Sequence, residues 1–187
     1  MKNNLLFLWI PKTGGTSFYE AMNKSNSFVK ELSCNKISSG THGHIKLDMI
    51  YSQEELLSFD IVTIVRNPYS RFLSLYRYLQ KIGRFDKSKS ILEFIKTIRH
   101  GIDPISSYNS KLLSQCNPQT HWTDGIPGIT IWMTENIDLL FRFYNIPLVH
   151  MNSSTKPQDD SLLTREVIDF INEYYDSDFI EFGYTKK

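Results

Sequence analysis

Two hydrophobic patterns alternate along the chain. Leu5-Leu6-Phe7-Leu8-Trp9-Ile10 is an unbroken apolar run, Ile61 to Val65 is a β-branched one, and "ITIWMT" repeats the type. Short continuous runs of this kind predict strands covered on both faces, as in a parallel sheet. Between them the period changes to that of a helix. Phe72, Leu75, Tyr76 and Leu79 recur at i, i+3, i+4 and i+7, with Ser70, Ser74 and Arg77 on the opposite side. Ile91, Phe94, Ile95 and Ile98 form a second apolar face, closed by His100-Gly101, and Leu163, Val167, Phe170, Ile171 and Tyr174 a last one over about 163–175. "ENIDLLFRFYN" is a further helix, and one opens near Thr16.

Helix starts are marked chemically as well. Ser52 with Glu55 and Ser90 with Glu93 have capping-box spacing, and Asn67 can cap a helix whose first position is Pro68. Asn23 to Gly40 reads as a polar loop with room for a short strand, and Asp103 to Gly128 as a loop-rich stretch in which "SYNSKLL" forms a helical turn or two. Strands alternating with helices predict one α/β domain over 1–187: a three-layer, P-loop-like fold with a mostly parallel central sheet flanked by helices.

The segment "IPKTGGTSFYEAM" follows the first strand and opens the first helix. A strand, a glycine turn and a helix start present successive backbone N–H groups and the positive end of a helix dipole, to which Lys12 adds a full charge. That combination suits phosphate or an isostere of it. It is not a Walker A loop, which needs G-x-x-x-x-G-K-[ST]; here Lys12 precedes Gly14 and Gly15, and Thr16 and Ser17 follow them.

Charge and cysteine content narrow the setting. With 21 Lys+Arg against 20 Asp+Glu the net charge is +1, which gives no general attraction to nucleic acid or acidic membrane, so any basic site is local. Cys34 and Cys116 are far apart in no metal-like spacing and read as reduced thiols, fitting a cytoplasmic location. The six apolar residues near the start are fewer than the roughly 7–15 of a signal peptide and read as the first strand. No stretch approaches the roughly 20 apolar residues of a membrane span.

"PKTGGTSF" resembles the 5′-phosphosulfate loop of sulfotransferases that use 3′-phosphoadenosine-5′-phosphosulfate (PAPS), and "VRNPYSRFLSLY" resembles their 3′-phosphate strand and helix. "THGHIKL" sits between the two as "HGH" does in the uronosyl 2-O-sulfotransferases, followed by "QTHW", "ITIWMTENID", "HMNSS" and "DFIEFGY" in the order of the carbohydrate sulfotransferase group. The resemblance implies that Lys12 binds the 5′-phosphosulfate and neutralises charge on the bridging oxygen, with Thr13, Gly14, Gly15, Thr16 and Ser17 as donors. It implies that Arg66 and Ser74 hold the 3′-phosphate, and that Ser153, Ser154 and Lys156 belong to a loop closing over the nucleotide. Arg71 and Arg77 read as solvated surface.

Transfer to an alcohol needs a base, and a histidine titrating near neutrality suits the task. By the same resemblance His44 is the base, favoured over His42, while a solvated loop histidine and an H-x-H metal half-site remain open readings of the pair. His121 lines the acceptor side or is structural. The reaction implied is in-line sulfuryl transfer from PAPS, leaving PAP, to a hydroxyl acceptor, in the first place a saccharide or glycoconjugate, with no metal, no nucleic acid and no membrane span. Two rivals stand beside it: an ATP-dependent small-molecule kinase, which calls for a Walker lysine and a strand-end acidic residue where "IVTIVRN" has arginine, and a non-catalytic module binding the nucleotide or a sulfated glycan. The acceptor itself is not named by any motif in 23–40 or 103–128.

Overall fold

The computed structural model describes residues 4–25, 31–34, 44–100, 114–147 and 160–187. The chain divides into two compact units, Met1–Arg66 with Gln119–Ser154, and Asn67–Pro118 with Thr155–Lys187.

The first unit is built on a parallel sheet. Strands β1 (Asn4–Leu8), β2 (Glu31–Cys34), β3 (Asp60–Val65) and β4 (Thr130–Met133) lie in the order β2-β1-β3-β4, every neighbouring pair parallel. Helix α1 (Gly15–Lys24) connects β1 to β2. From β2 the chain, through the short helix α2 (Gln53–Leu56), returns to the other side of β1 to form β3. The strand order therefore reverses between β1 and β3, and the loops leaving their carboxyl ends diverge there. That crevice is where open α/β sheets bind ligands.

Both faces of β1 and β3 are buried, as their unbroken apolar runs require. Leu5, Phe7, Trp9, Val62 and Ile64 pack with Phe18, Ala21 and Met22 of α1 and with Leu140 and Phe141 of a later helix, while Leu6, Leu8, Ile61 and Val65 on the other face are equally buried. Thr63 is the polar exception, and its hydroxyl donates to the Leu8 carbonyl at 2.7 Å. The predicted first strand is shorter than expected, ending at Leu8, with Trp9 and Ile10 buried in the turn beyond it.

The second unit is helical. Helix α3 (Pro68–Lys81) starts where Asn67 and Pro68 predict, the Asn67 side chain accepting from the Tyr69 N–H at 3.0 Å. Helix α4 (Ile91–Arg99) and, in the first unit, α2 both carry the capping boxes read from Ser90-Glu93 and Ser52-Glu55. Phe72, Leu75, Tyr76 and Leu79 are buried as expected, whereas Ser70, Ser74 and Arg77 are only half-buried.

Arg71 corrects the expectation of a solvated surface residue. It is 1% exposed, its guanidinium donates to the carbonyls of Gln115 and Asn117 at 2.9 Å each, and it stands 5.9 Å from the Tyr175 ring centroid. A buried guanidinium persists where carbonyls answer its donors, as these two do. Its partners lie more than 40 positions away, so local periodicity carries no sign of them.

The remaining α-helices among the described residues are α5 (Thr120–Thr123), α6 (Ile137–Phe143), α7 (Arg165–Tyr174) and α8 (Asp176–Phe182). A 3-10 turn, Thr134–Asn136, separates β4 from α6. Helix α8 falls in "DFIEFGY", for which no element is predicted; Gly183 ends it in a left-handed conformation, φ 69°. Cys34 and Cys116 are free thiols, and burial pushes that of Cys116 up to about 12. Among the described residues no helix is long and apolar enough to cross a membrane.

Candidate functional site

The turn after β1 is shaped by its own side chains. Lys12 has φ 69°, a left-handed conformation costly for a residue with a Cβ by about 1–2 kcal/mol, and Gly14 follows with φ 90°. Strain of this kind is held by surrounding contacts and clusters at functional sites. Here three carbonyls of the turn are answered by side-chain donors. Thr13, fully buried, donates its hydroxyl to the Ile10 carbonyl at 2.9 Å. The Thr134 hydroxyl lies 2.8 Å from the Thr13 carbonyl and 3.0 Å from that of Val65, coupling the turn to the end of β3. Arg66 reaches the Lys12 carbonyl from Nη1 at 3.4 Å.

With those carbonyls turned to protein donors, the start of α1 has the chemistry of an anion site. Gly14 brings no side chain to cap the helix, and the first turn contains no acidic residue. Lys12, Thr16 and Ser17 are half-buried around it, and the Ser17 N–H bonds the Gly14 carbonyl at 3.0 Å. The start of α1, the turn that carries Lys12 and the Arg66 guanidinium thus meet at the β1/β3 switch point. Of the expected donors, Thr13 contributes no outward hydroxyl, because its own is committed to Ile10.

Gly15 serves a different need from Gly14. A Cβ built on it would lie 2.5 Å from Cδ1 and Nε1 of the Trp9 indole, which is only 6% exposed. Alanine usually improves a helix over glycine by up to about 1 kcal/mol, but overpacking against a buried ring costs about 1–3 kcal/mol, so Gly15→Ala should be destabilising. Urea denaturation would read this as a lowered midpoint; an unchanged or raised midpoint would mean that Trp9 is not held against the helix start.

The same indole links the loop to His44. The two rings stand edge to face with centroids 5.8 Å apart, and the His44 carbonyl accepts from Nε1 of Trp122 at 3.1 Å. His44 is half-buried, one aromatic ring removed from the start of α1. His121 stands beside Trp122 on α5 and is exposed at the surface; desolvation on its covered side holds the imidazole below the ordinary value, Lys46 adding to the shift and Asp48 opposing it. A lowered value keeps the ring neutral at pH 7, the form that accepts a proton.

Lys12, Thr13, Gly14, Gly15, Thr16, Ser17, His44 and Arg66 all belong to the first unit, and Ser74 lies on α3 in the second. His42, Ser153, Ser154 and Lys156 fall outside the described residues. Among the described residues no group of three or more His, Cys, Asp or Glu side chains is placed to hold a metal ion. Three contributors escaped the sequence reading: Trp9, Gln119 and Thr134. Thr134 stands directly after β4, at the same carboxyl edge of the sheet as Arg66, and that position was the available signal.

The profile of the Sulfotransferase family matches residues 1–124. Among solved structures, a sulfotransferase from Alicyclobacillus acidocaldarius superposes with a TM-score of 0.57 at 11% identity, covering 99% of this chain and 97% of that one. Mouse sulfotransferase SULT7A1, complexed with PAP, gives a TM-score of 0.46 at 14% identity over 96% of this chain and 66% of that one. No curated protein sequence matches the chain. The likeness to the first structure is one of fold, a parallel sheet flanked by helices.

Proposed function

Because the chain belongs to the sulfotransferase family, we propose that it uses PAPS as donor and sulfates a hydroxyl of a saccharide, with Lys12 and Arg66 binding the donor and His44 acting as base. The observation that carries this reading is the meeting of Lys12, the uncapped start of α1 and Arg66 at the β1/β3 switch point. Two cationic side chains joined to one loop suit a ligand with two separate anionic groups. PAPS supplies the activated sulfuryl group and has a second anion in its 3′-phosphate.

Lys12 and the α1 amides hold the 5′-phosphosulfate, and Arg66 takes the 3′-phosphate. His44 removes the acceptor proton on an imidazole nitrogen. Trp9, packed between the His44 ring and Gly15, fixes the separation of base and loop. Catalysis of this kind rests on positioning and on fixed charge, as in phosphoryl transfer. Two free thiols, Cys34 and Cys116, agree with a reducing compartment such as the cytoplasm. The saccharide preference rests on the "THGHIKL" resemblance.

The test is a comparison of PAP with 5′-AMP by calorimetry. A charge-assisted hydrogen bond to the 3′-phosphate is worth about 1.5–3 kcal/mol, so PAP should bind roughly 10- to 150-fold more tightly than AMP, and Arg66→Ala should remove most of that preference. Equal affinities in the wild type would sink the assignment of Arg66.

A further inference from the structure

Arg66 lies one residue beyond the β3–β4 ladder, whose last pair is Val65 with Met133. Its backbone is held by a side chain instead of a strand. The Gln119 carboxamide accepts from the Arg66 N–H at 2.8 Å and donates to the Arg66 carbonyl at 2.9 Å, the two bonds a neighbouring strand would make. Only one orientation of the amide satisfies both. Gln119 is 0% exposed and stands 53 positions away, immediately before α5.

We infer that Gln119 is a positioning residue for nucleotide discrimination: it locks the Arg66 backbone so that presenting the guanidinium to the 3′-phosphate costs no further backbone entropy. This rests on the reading of Arg66 given above. An arginine side chain has several rotatable bonds to order on binding; a backbone that also moved would add its own φ and ψ to that cost. The hydrogen bond from Arg66 Nη1 to Lys12 is long at 3.4 Å, whereas the two that Gln119 makes to the Arg66 backbone are 2.8 and 2.9 Å. Gln119 touches neither phosphate in this account. It acts through Arg66.

Calorimetry of PAP and 5′-AMP on the wild type, Arg66→Ala, Gln119→Ala and the double variant separates the possibilities. Gln119→Ala should cut the PAP preference by at least about fivefold while AMP affinity changes less than about twofold, and the double variant should lose no more than Arg66→Ala alone. A merely structural role would weaken both nucleotides alike, and an effect additive with Arg66→Ala would place Gln119 outside the Arg66 pathway; either overturns the inference. If Arg66→Ala itself leaves the PAP preference intact, the 3′-phosphate reading fails instead, a visibly different result.

Gln119→Ala removes two buried hydrogen bonds from the Arg66 backbone, which can unfold the protein, so Gln119→Glu is the second variant. Its carboxylate still accepts from the Arg66 N–H but repels the Arg66 carbonyl, whereas the protonated acid restores both bonds. Burial beside a carbonyl raises a carboxyl pKa, so the PAP preference of Gln119→Glu relative to wild type should recover as the pH falls from about 8 to about 5. A ratio that stays flat over this range overturns the inference.

Discussion

His44→Ala is expected to lower turnover by about 10²- to 10⁴-fold, the range of a positioned general base, while leaving PAP affinity nearly unchanged. The split follows from where His44 stands. Its ring stands against Trp9 and its carbonyl is held by Trp122, whereas the carbonyls of the Lys12 turn are answered by Thr13, Thr134 and Arg66, so these bonds of the turn do not depend on the imidazole. Turnover and PAP affinity would be measured for His44→Ala, His42→Ala and the double variant, with thermal melts to confirm that the space left beside Trp9 has not unfolded the protein. Near-wild-type turnover in His44→Ala with an inactive His42→Ala would reverse the roles. Activity in both would move the base to His121, whose depressed pKa already leaves it neutral at pH 7.

Lys12→Ala is the second large effect. If the ammonium acts chiefly on charge that builds as the S–O bond breaks, its loss should cost about 10²- to 10³-fold in turnover at saturating PAPS, and markedly less in PAP affinity. The left-handed backbone of Lys12 complicates a single variant, because alanine inherits the strain and glycine relieves it. Lys12→Gly is therefore the control. Both variants lack the charge, so both should lose turnover to a similar extent, with Lys12→Gly the more stable of the two. Recovery of turnover in Lys12→Gly would assign the effect to backbone geometry, and unimpaired turnover in Lys12→Ala would reduce the ammonium to ground-state binding.

What the sequence made legible were features encoded within a few residues. β1 and β3 are unbroken apolar runs because both faces are covered, the helix faces follow a 3.6-residue period, and the two capping boxes sit where Ser and Glu are three apart. The turn at Lys12 and Gly14 and the strand end before Arg66 are legible by the same logic, since a glycine turn and a strand end are local signals. The parts that were not legible depend on distant pairs. Arg71 looks locally like a surface arginine, and its burial goes with carbonyls of Gln115 and Asn117 that return to it from more than 40 positions away. Gln119 and Thr134 are ordinary polar residues until the fold sets them against Arg66 and Thr13. Helix α8 has seven residues, too few to establish a period beside the stronger pattern of α7.

The most direct test of the central claim is a transfer assay in which sulfur-labelled PAPS and γ-phosphorus-labelled ATP are offered in parallel with one panel of hydroxyl acceptors: mono- and polysaccharides, phenols, lipids and peptides. The account predicts sulfur label in an acceptor, strongest among the saccharides, with PAP released in equal amount and no phosphorus label transferred. Phosphorus transfer without sulfur transfer would make the protein a kinase, and tight PAP binding with neither label moved would make it a binding module; both results would contradict a PAPS-dependent sulfotransferase.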